Sequence, residues 1–215
     1  MSKSILLIGL GRFGLHIAQE LSQRGCELLA VDFSEEKVNA ALPWVTRAQI
    51  GDSRSREFLA SLGVRSFDSC IVAIGEDFQS SLETTDLLRE LGARKIIARA
   101  STDTQEKFLL RIGADEVLFP EKQLAAWTAI RCAAESVLDY FELGDGFSVY
   151  ELATPPEWIG KTVGQLDIRK KYGLTILGVR DGDRLRMNIT PETALGTGSL
   201  LVLGQEKAVF KCFKF

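Results

Sequence analysis

The sequence predicts an α/β fold, a doubly wound parallel sheet followed by a crossover helix and a small α+β C-terminal domain. Three observations carry that expectation. Six short apolar runs alternate with helical patterns over the first 120 residues, as repeated βαβ units do. Glycines stand where four of those helical patterns should stop, the usual position of a helix C-cap. Beyond Gly144 the texture changes to short β-type runs separated by turn residues, which marks a second kind of architecture.

Taken in order, strands are expected over 4–9, 27–32, 47–50, 69–73, 95–98 and 116–119. Helices are expected between them over 12–24, 34–42, 55–62, 78–91 and 104–112, with Gly25, Gly63, Gly92 and Gly113 as stops. After Pro120, Leu124, Trp127, Ile130, Ala134, Val137 and Leu138 form a stripe at i+3 and i+4 spacing, which predicts one helix over 121–140. It packs either on its own domain or on a partner subunit. Further strands are expected over 147–153, 175–180, 184–188 and 199–204, with Asp181-Gly182-Asp183 as a hairpin turn. Short helical turns are expected at 163–166 and 168–172, the second stopped by Gly173. The domains are therefore 1–120, a crossover helix and linker over 121–143, and 144–215.

The first strand runs into Gly9-Leu10-Gly11-Arg12-Phe13-Gly14, and the second ends in Asp32, 18 residues after Gly14. A strand, a glycine turn at G-x-G-x-x-G spacing, a helix, and a strand ending in an acid make up a Rossmann-type dinucleotide-binding unit. Gly9 allows the tight bend, Gly11 lets backbone approach a phosphate, and Gly14 lets helix pack on strand. Unpaired N–H groups at the start of the following helix favour an anion, and Asp32 is placed for the ribose hydroxyls.

Composition narrows the function classes. With 26 basic and 29 acidic residues the net charge is −3, which argues against a chain built to neutralise nucleic-acid phosphates. The sequence has no apolar run of the roughly 18 residues a spanning helix needs and no leader pattern before the first strand, so a cytoplasmic location is expected. Cys26, Cys70, Cys132 and Cys212 form no C-x-x-C pair, and free thiols are expected.

The carboxyl ends of the strands hold the remaining candidates, because ligands of open parallel sheets bind there, near the point where strand order reverses. Ala73-Ile74-Gly75 closes the fourth strand, and Gly75 would let backbone approach a ligand; Glu76 and Asp77 beside it also suit a solvated strand-to-helix turn. Asp52 and Ser53 follow the third strand, where they would reach an adenine or simply cap a helix. Arg12 suits a phosphate on this ligand or on that of an adjoining subunit. Arg99 ends the fifth strand and Glu121 follows the sixth. A carboxylate facing phosphates requires a cation between them; an ordinary first-turn glutamate is the other reading. His16, the sole histidine, reads as a packed or solvated helix residue and not as a catalyst.

The chain resembles the RCK family, the TrkA-N plus TrkA-C regulatory subunits of bacterial potassium transporters, in its KtrA-like branch. The resemblance spans nearly the whole sequence. It rests on Ile8-Gly9-Leu10-Gly11-Arg12-Phe13-Gly14, Ala30-Val31-Asp32, Val72-Ala73-Ile74-Gly75, Ile112-Gly113-Ala114-Asp115, Pro120-Glu121-Lys122 and Tyr172-Gly173-Leu174-Thr175-Ile176-Leu177. It implies a gating subunit and no catalyst: ATP or ADP in the first domain, dimers assembled into a ring, an octamer, beneath a membrane potassium channel subunit at the inner face of the cell membrane. It also implies that Arg12 senses a γ-phosphate across a dimer contact, and that Glu121 helps hold an activating cation. Val163, Arg169, Ile176 and Pro191 match positions that bind cyclic di-AMP in the second domain. The rival readings are an NAD-dependent oxidoreductase, which the glycine turn and Asp32 equally suit, and a DNA-binding regulator, for which no helix-turn-helix or basic stripe is found.

Overall fold

The computed structural model describes residues 2–213, and the chain divides into two compact units after Lys122. In the first, strands β1 (Ser4–Ile8), β2 (Glu27–Asp32), β3 (Arg47–Ile50), β4 (Ser69–Val72), β5 (Ile96–Arg99) and β6 (Glu116–Leu118) form one sheet. Its order is β3-β2-β1-β4-β5-β6 and every neighbouring pair is parallel. The order reverses between β1 and β4, so the carboxyl ends of those strands border the crevice expected from the sequence.

Helices α1 (Arg12–Gln23), α2 (Glu35–Ala41), α3 (Arg56–Ser61), α4 (Phe78–Glu90) and α5 (Asp103–Arg111) connect the strands. Because both faces of a parallel sheet are covered, its central strands read as continuous apolar runs, and Ile5 to Ile8 are all buried. Alternate residues serve opposite layers. Leu6, Ile8, Cys70, Val72 and Ile96 pack with Leu59, Leu88 and Leu109 of α3, α4 and α5. Ile5, Leu7, Leu28, Ala30 and Ile71 pack with Ala18 and Val38 of α1 and α2. Side chains cap four of these helices: Ser34, Ser55, Asp77 and Thr102 each accept from a first-turn N–H. The exception is α1, whose N-cap is Gly11.

The second unit takes up the rest of α6 (Pro120–Ala133), which begins in the first, and adds a five-stranded sheet. Its strands are β7 (Val137–Gly144), β8 (Phe147–Ala153), β9 (Thr175–Asp181), β10 (Arg184–Arg186) and β11 (Ser199–Gln205), in the order β10-β9-β11-β8-β7 with every pair antiparallel. Burial alternates along β8, as it does where an antiparallel sheet packs one face on a core. That core gathers Tyr150, Leu152, Leu174, Val179, Leu200 and Val202 with Ile168 of α8 (Ile168–Tyr172) and Val209 of α9 (Glu206–Phe213). A further short helix, α7 (Val163–Leu166), is held by a capping box in which Thr162 and Gln165 satisfy each other's backbone N–H groups.

One expectation is corrected. The helix expected over 121–140 stops at Ala133, and Val137–Gly144 is a strand. Gly144, Asp145 and Gly146 all take positive φ and turn the chain back on itself. The stretch before them pairs with β8 from Val137↔Leu152 to Gly144↔Phe147. A hairpin turn thus overrode a helical stripe. α9 was not anticipated from the sequence.

The sheet of the second unit carries a polar network spanning three strands. The Nε of Arg180 on β9 donates to Glu151 Oε1 on β8 at 2.6 Å, and Ser199 Oγ on β11 donates to the same oxygen at 2.5 Å. These two bonds, Arg180 foremost, hold the Glu151 carboxyl below its usual value of 4.5. A depressed folded pKa gives stability that is complete above 4.5 and lost as pH falls through the folded value. We therefore expect thermal melts of wild type and Glu151→Gln to differ at neutral pH and to converge as the solution is acidified below 4.5. A gap between the two melts that stays constant with pH would show that the network contributes no proton-linked stability.

Candidate functional site

The glycine turn is shaped by backbone packing. Gly9 has φ +93° and donates its N–H to Val31 O at 2.8 Å, joining β1 to β2. A Cβ on Gly9 would lie 3.1 Å from backbone atoms of Ala73 and Ile74, and one on Gly14 would lie 1.9 Å from Gly9 O. A Cβ on Gly11 would meet nothing within 4 Å. Two glycines therefore let main chain pass main chain, and the third faces open space. There α1 begins with no side-chain cap and no acidic residue in its first turn, leaving its N–H groups and dipole available to an anion. Arg12 is exposed in this turn, and Phe13 is half-buried.

Asp32 is 6% exposed and tied on both oxygens. Leu10 N–H donates to Oδ2 at 2.7 Å and Ser34 N–H to Oδ1 at 2.9 Å. The acid thus clamps the glycine turn to the end of β2, and the remaining lone pairs can still accept from ribose hydroxyls. Next to it Phe33 is 76% exposed, and at the end of β3 Ile50 is also exposed. This apolar pair at two adjacent strand ends suits the face of a base. The sequence reading passed over both; the available signal was a large apolar residue directly after a strand-end acid.

Asp52 is exposed and paired with a neighbour on its own loop. Its carboxylate holds the Arg54 side chain at 2.8 Å and the Arg54 N–H at 2.9 Å, and these bonds keep it below the usual aspartate value. Ser53 is buried, its hydroxyl 2.8 Å from that of Thr84 on α4. These two residues brace the loop after β3.

The ends of β4 and β5 bring together residues far apart in sequence. Arg99 lies directly over Gly75, where a Cβ would sit 2.5 Å from its Nη1. Its Cζ is 5.2 Å from the centre of the Phe13 ring, a cation–π contact with the glycine turn. Its Nη2 pairs with Glu121 in the first turn of α6. Hydrogen bonding from its own backbone N–H, aided by Arg99, holds Glu121 below 4.5. Arg99 Nε is buried with no hydrogen-bond partner, a state that costs about 1–3 kcal/mol. Among the described residues no group of three or more His, Cys, Asp and Glu side chains could hold a metal ion. Glu121 contributes a single carboxylate here, and it is paired with the Arg99 guanidinium.

In the second unit, a pocket of about 330 Å³ gathers Val163, Arg169, Ile176 and Pro191. Gly164 N–H donates to Pro191 O at 2.8 Å, and a Cβ there would lie 2.9 Å from that oxygen, so glycine lets the 190 loop close one wall. The lining is apolar apart from Arg169, Asp167 and the threonines 175 and 190, which suits a planar ring with an anionic group. No helix among the described residues is long and apolar enough to cross a membrane.

Known proteins resemble this chain in sequence and in fold. The TrkA-N domain model matches residues 5–120. The chain is 40% identical over 205 residues to the Ktr system potassium uptake protein C of Bacillus subtilis (strain 168), covering 95% of this chain and 93% of that one. It is 38% identical over 213 residues to the Ktr system potassium uptake protein A of the same organism, covering 99% and 96%. Among solved structures, the GsuK channel bound to NAD superposes with a TM-score of 0.68 at 22% identity, over 97% of this chain and 38% of that chain. This chain spans well under half of that solved chain, and the likeness is one of fold.

Proposed function

This chain belongs to the TrkA-N (RCK) family, on its Ktr side, and from that membership we propose that it is a cytoplasmic nucleotide-sensing subunit that gates a membrane potassium channel. The observation that carries the nucleotide reading is the uncapped start of α1 over the open Gly11, with the buried Asp32 clamped beside it. Phosphates rest on the N–H groups of Arg12, Phe13 and Gly14, Asp32 accepts from the ribose, and Phe33 and Ile50 flank the base. The relatives named as potassium uptake proteins support a transport role, and the NAD-bound GsuK channel supports an adenine nucleotide in a sheet of this kind.

No chemistry on the nucleotide is required. The chain assembles as dimers in a ring, and Arg12 reaches the terminal phosphate of a ligand held by a neighbour. If ATP and ADP bind two ring shapes with different affinity, their ratio shifts the ring by no more than that difference in binding free energy. The pocket of the second unit takes cyclic di-AMP, with its adenine against Val163, Ile176 and Pro191 and a phosphate on Arg169.

Calorimetry with ATP, ADP, NADH and cyclic di-AMP, alongside the mass of the protein in solution with each, tests this reading. We expect an assembly of several chains that binds ATP and ADP, and cyclic di-AMP binding that Arg169→Ala weakens by about tenfold or more, or 1.4 kcal/mol, with ATP binding unchanged. A species that binds NADH alone and transfers a hydride would overturn the gating function in favour of an oxidoreductase.

A further inference from the structure

We infer that Arg99 senses ligand charge by exchange, giving up the carboxylate of Glu121 for a phosphate oxygen of the bound nucleotide and so releasing the first turn of α6. This rests on the nucleotide reading above and adds to it the residue that converts phosphate into a structural signal. The geometry points to Arg99 for three reasons. Its guanidinium lies at the phosphate turn, 5.2 Å from the Phe13 ring and over Gly75, the position whose lack of a side chain makes room for it. Its present pose is incomplete, because Nη2 has Glu121 while the buried Nε has nothing. A guanidinium presents its donors as a planar fork that matches a phosphate bidentately, so an arriving phosphate satisfies donors that Glu121 leaves idle. Finally, its carboxylate partner is more than half exposed while Arg99 is mostly covered, so Glu121 regains water readily when the pair opens.

The exchange has a defined mechanical output. Two ion pairs tie the first turn of α6 to the sheet layer, Arg99–Glu121 to β5 and Lys122–Asp103 to the start of α5. Phosphate removes the first and leaves the second, so the turn pivots at Lys122. Adenosine, which lacks phosphate, fills the base and ribose positions without opening the pair.

The test is calorimetry of ATP and adenosine in a chelator-containing buffer free of divalent cations, on wild type, Glu121→Gln, Arg99→Gln and the double variant. Arg99→Gln is expected to weaken ATP about tenfold, and Glu121→Gln to tighten it about threefold; adenosine should bind all four proteins alike. In the Arg99→Gln background the Glu121→Gln effect should vanish, because there is no guanidinium left to release. A tightening that persists in that background would mean that Glu121 merely repels the phosphates, and would overturn the exchange, as would an unchanged or weaker ATP affinity in Glu121→Gln. Hydrogen exchange of the amides of residues 123–126, the first that α6 itself bonds, should rise with ATP and stay unchanged with adenosine; equal exchange in both would also overturn it. Equal adenosine affinity in the variants guards against misfolding, and a wild type that binds neither ligand would bring down the nucleotide reading itself.

Discussion

Gly14→Ala is expected to unfold or severely destabilise the first unit, while Gly11→Ala, three residues earlier in the same motif, leaves it intact and impairs ligand binding alone. The new Cβ at position 14 would lie 1.9 Å from Gly9 O and 3.0 Å from Gly9 C. Both are main-chain atoms, so no rotamer change relieves the clash; α1 must lift off β1. The cost reaches or exceeds the ~3 kcal/mol upper end of ordinary overpacking, a fall in melting temperature of about 10 °C for a chain of this size. At Gly11 the new methyl meets nothing, and φ −65° suits any residue. The melting temperature should hold or rise slightly, since alanine costs the unfolded chain entropy, while the methyl intrudes where phosphates approach. We expect ATP to weaken about tenfold or more and adenosine to be little affected. Equal melting temperatures for the two variants would contradict the close passage of main chain at Gly14.

Asp32→Ala should do two things at once. Removing the carboxylate strips acceptors from the Leu10 and Ser34 N–H groups, the first of which is bonded in a buried setting, and each orphaned donor costs about 1–3 kcal/mol. The same change deletes the charged acceptor for the ribose, worth roughly 1.5–3 kcal/mol, or about 10- to 100-fold in affinity for ATP and adenosine alike. Asp32→Asn separates the two roles: one carbonyl oxygen still serves one N–H, so stability recovers in part, and the ribose loses its anionic partner. Melts and calorimetry on both variants check this, and native-like adenosine binding by Asp32→Ala would remove the residue from the ligand site.

How much of this was legible depended on the range of the contact. The six parallel strands could be read because runs such as Ile5-Leu6-Leu7-Ile8 are buried on both faces, and the turn glycines announce backbone needs that other residues meet poorly. The helix over 121–140 was misread beyond Ala133 because Val137 and Leu138 happen to extend the stripe begun by Leu124 and Ile130. The competing signal was local as well: Gly144-Asp145-Gly146 demands a hairpin, and the stretch before it must then supply a strand. Asp32 was visible as an acid after a strand, but its bond to Leu10 was not, since it joins residues 22 apart. The Arg99–Glu121 pair required knowing that β5 and β6 are neighbours, with Arg99 opposite Leu118. Each residue had been singled out separately; the sheet order supplied the pairing.

The four cysteines of the chain are not chemically equal. Burial pushes the Cys70 thiol up to about 12 and that of Cys212 to about 11, so at neutral pH neither offers an appreciable amount of the thiolate that reacts with electrophiles. Cys132 is exposed near the end of α6, and Cys26 is partly covered. A maleimide fluorophore added at low stoichiometry should therefore report from Cys132 in the unmodified chain, eleven residues along the helix from Glu121. With Cys26→Ser as the background, Cys132 is an attachment point already in place for an optical probe of that helix.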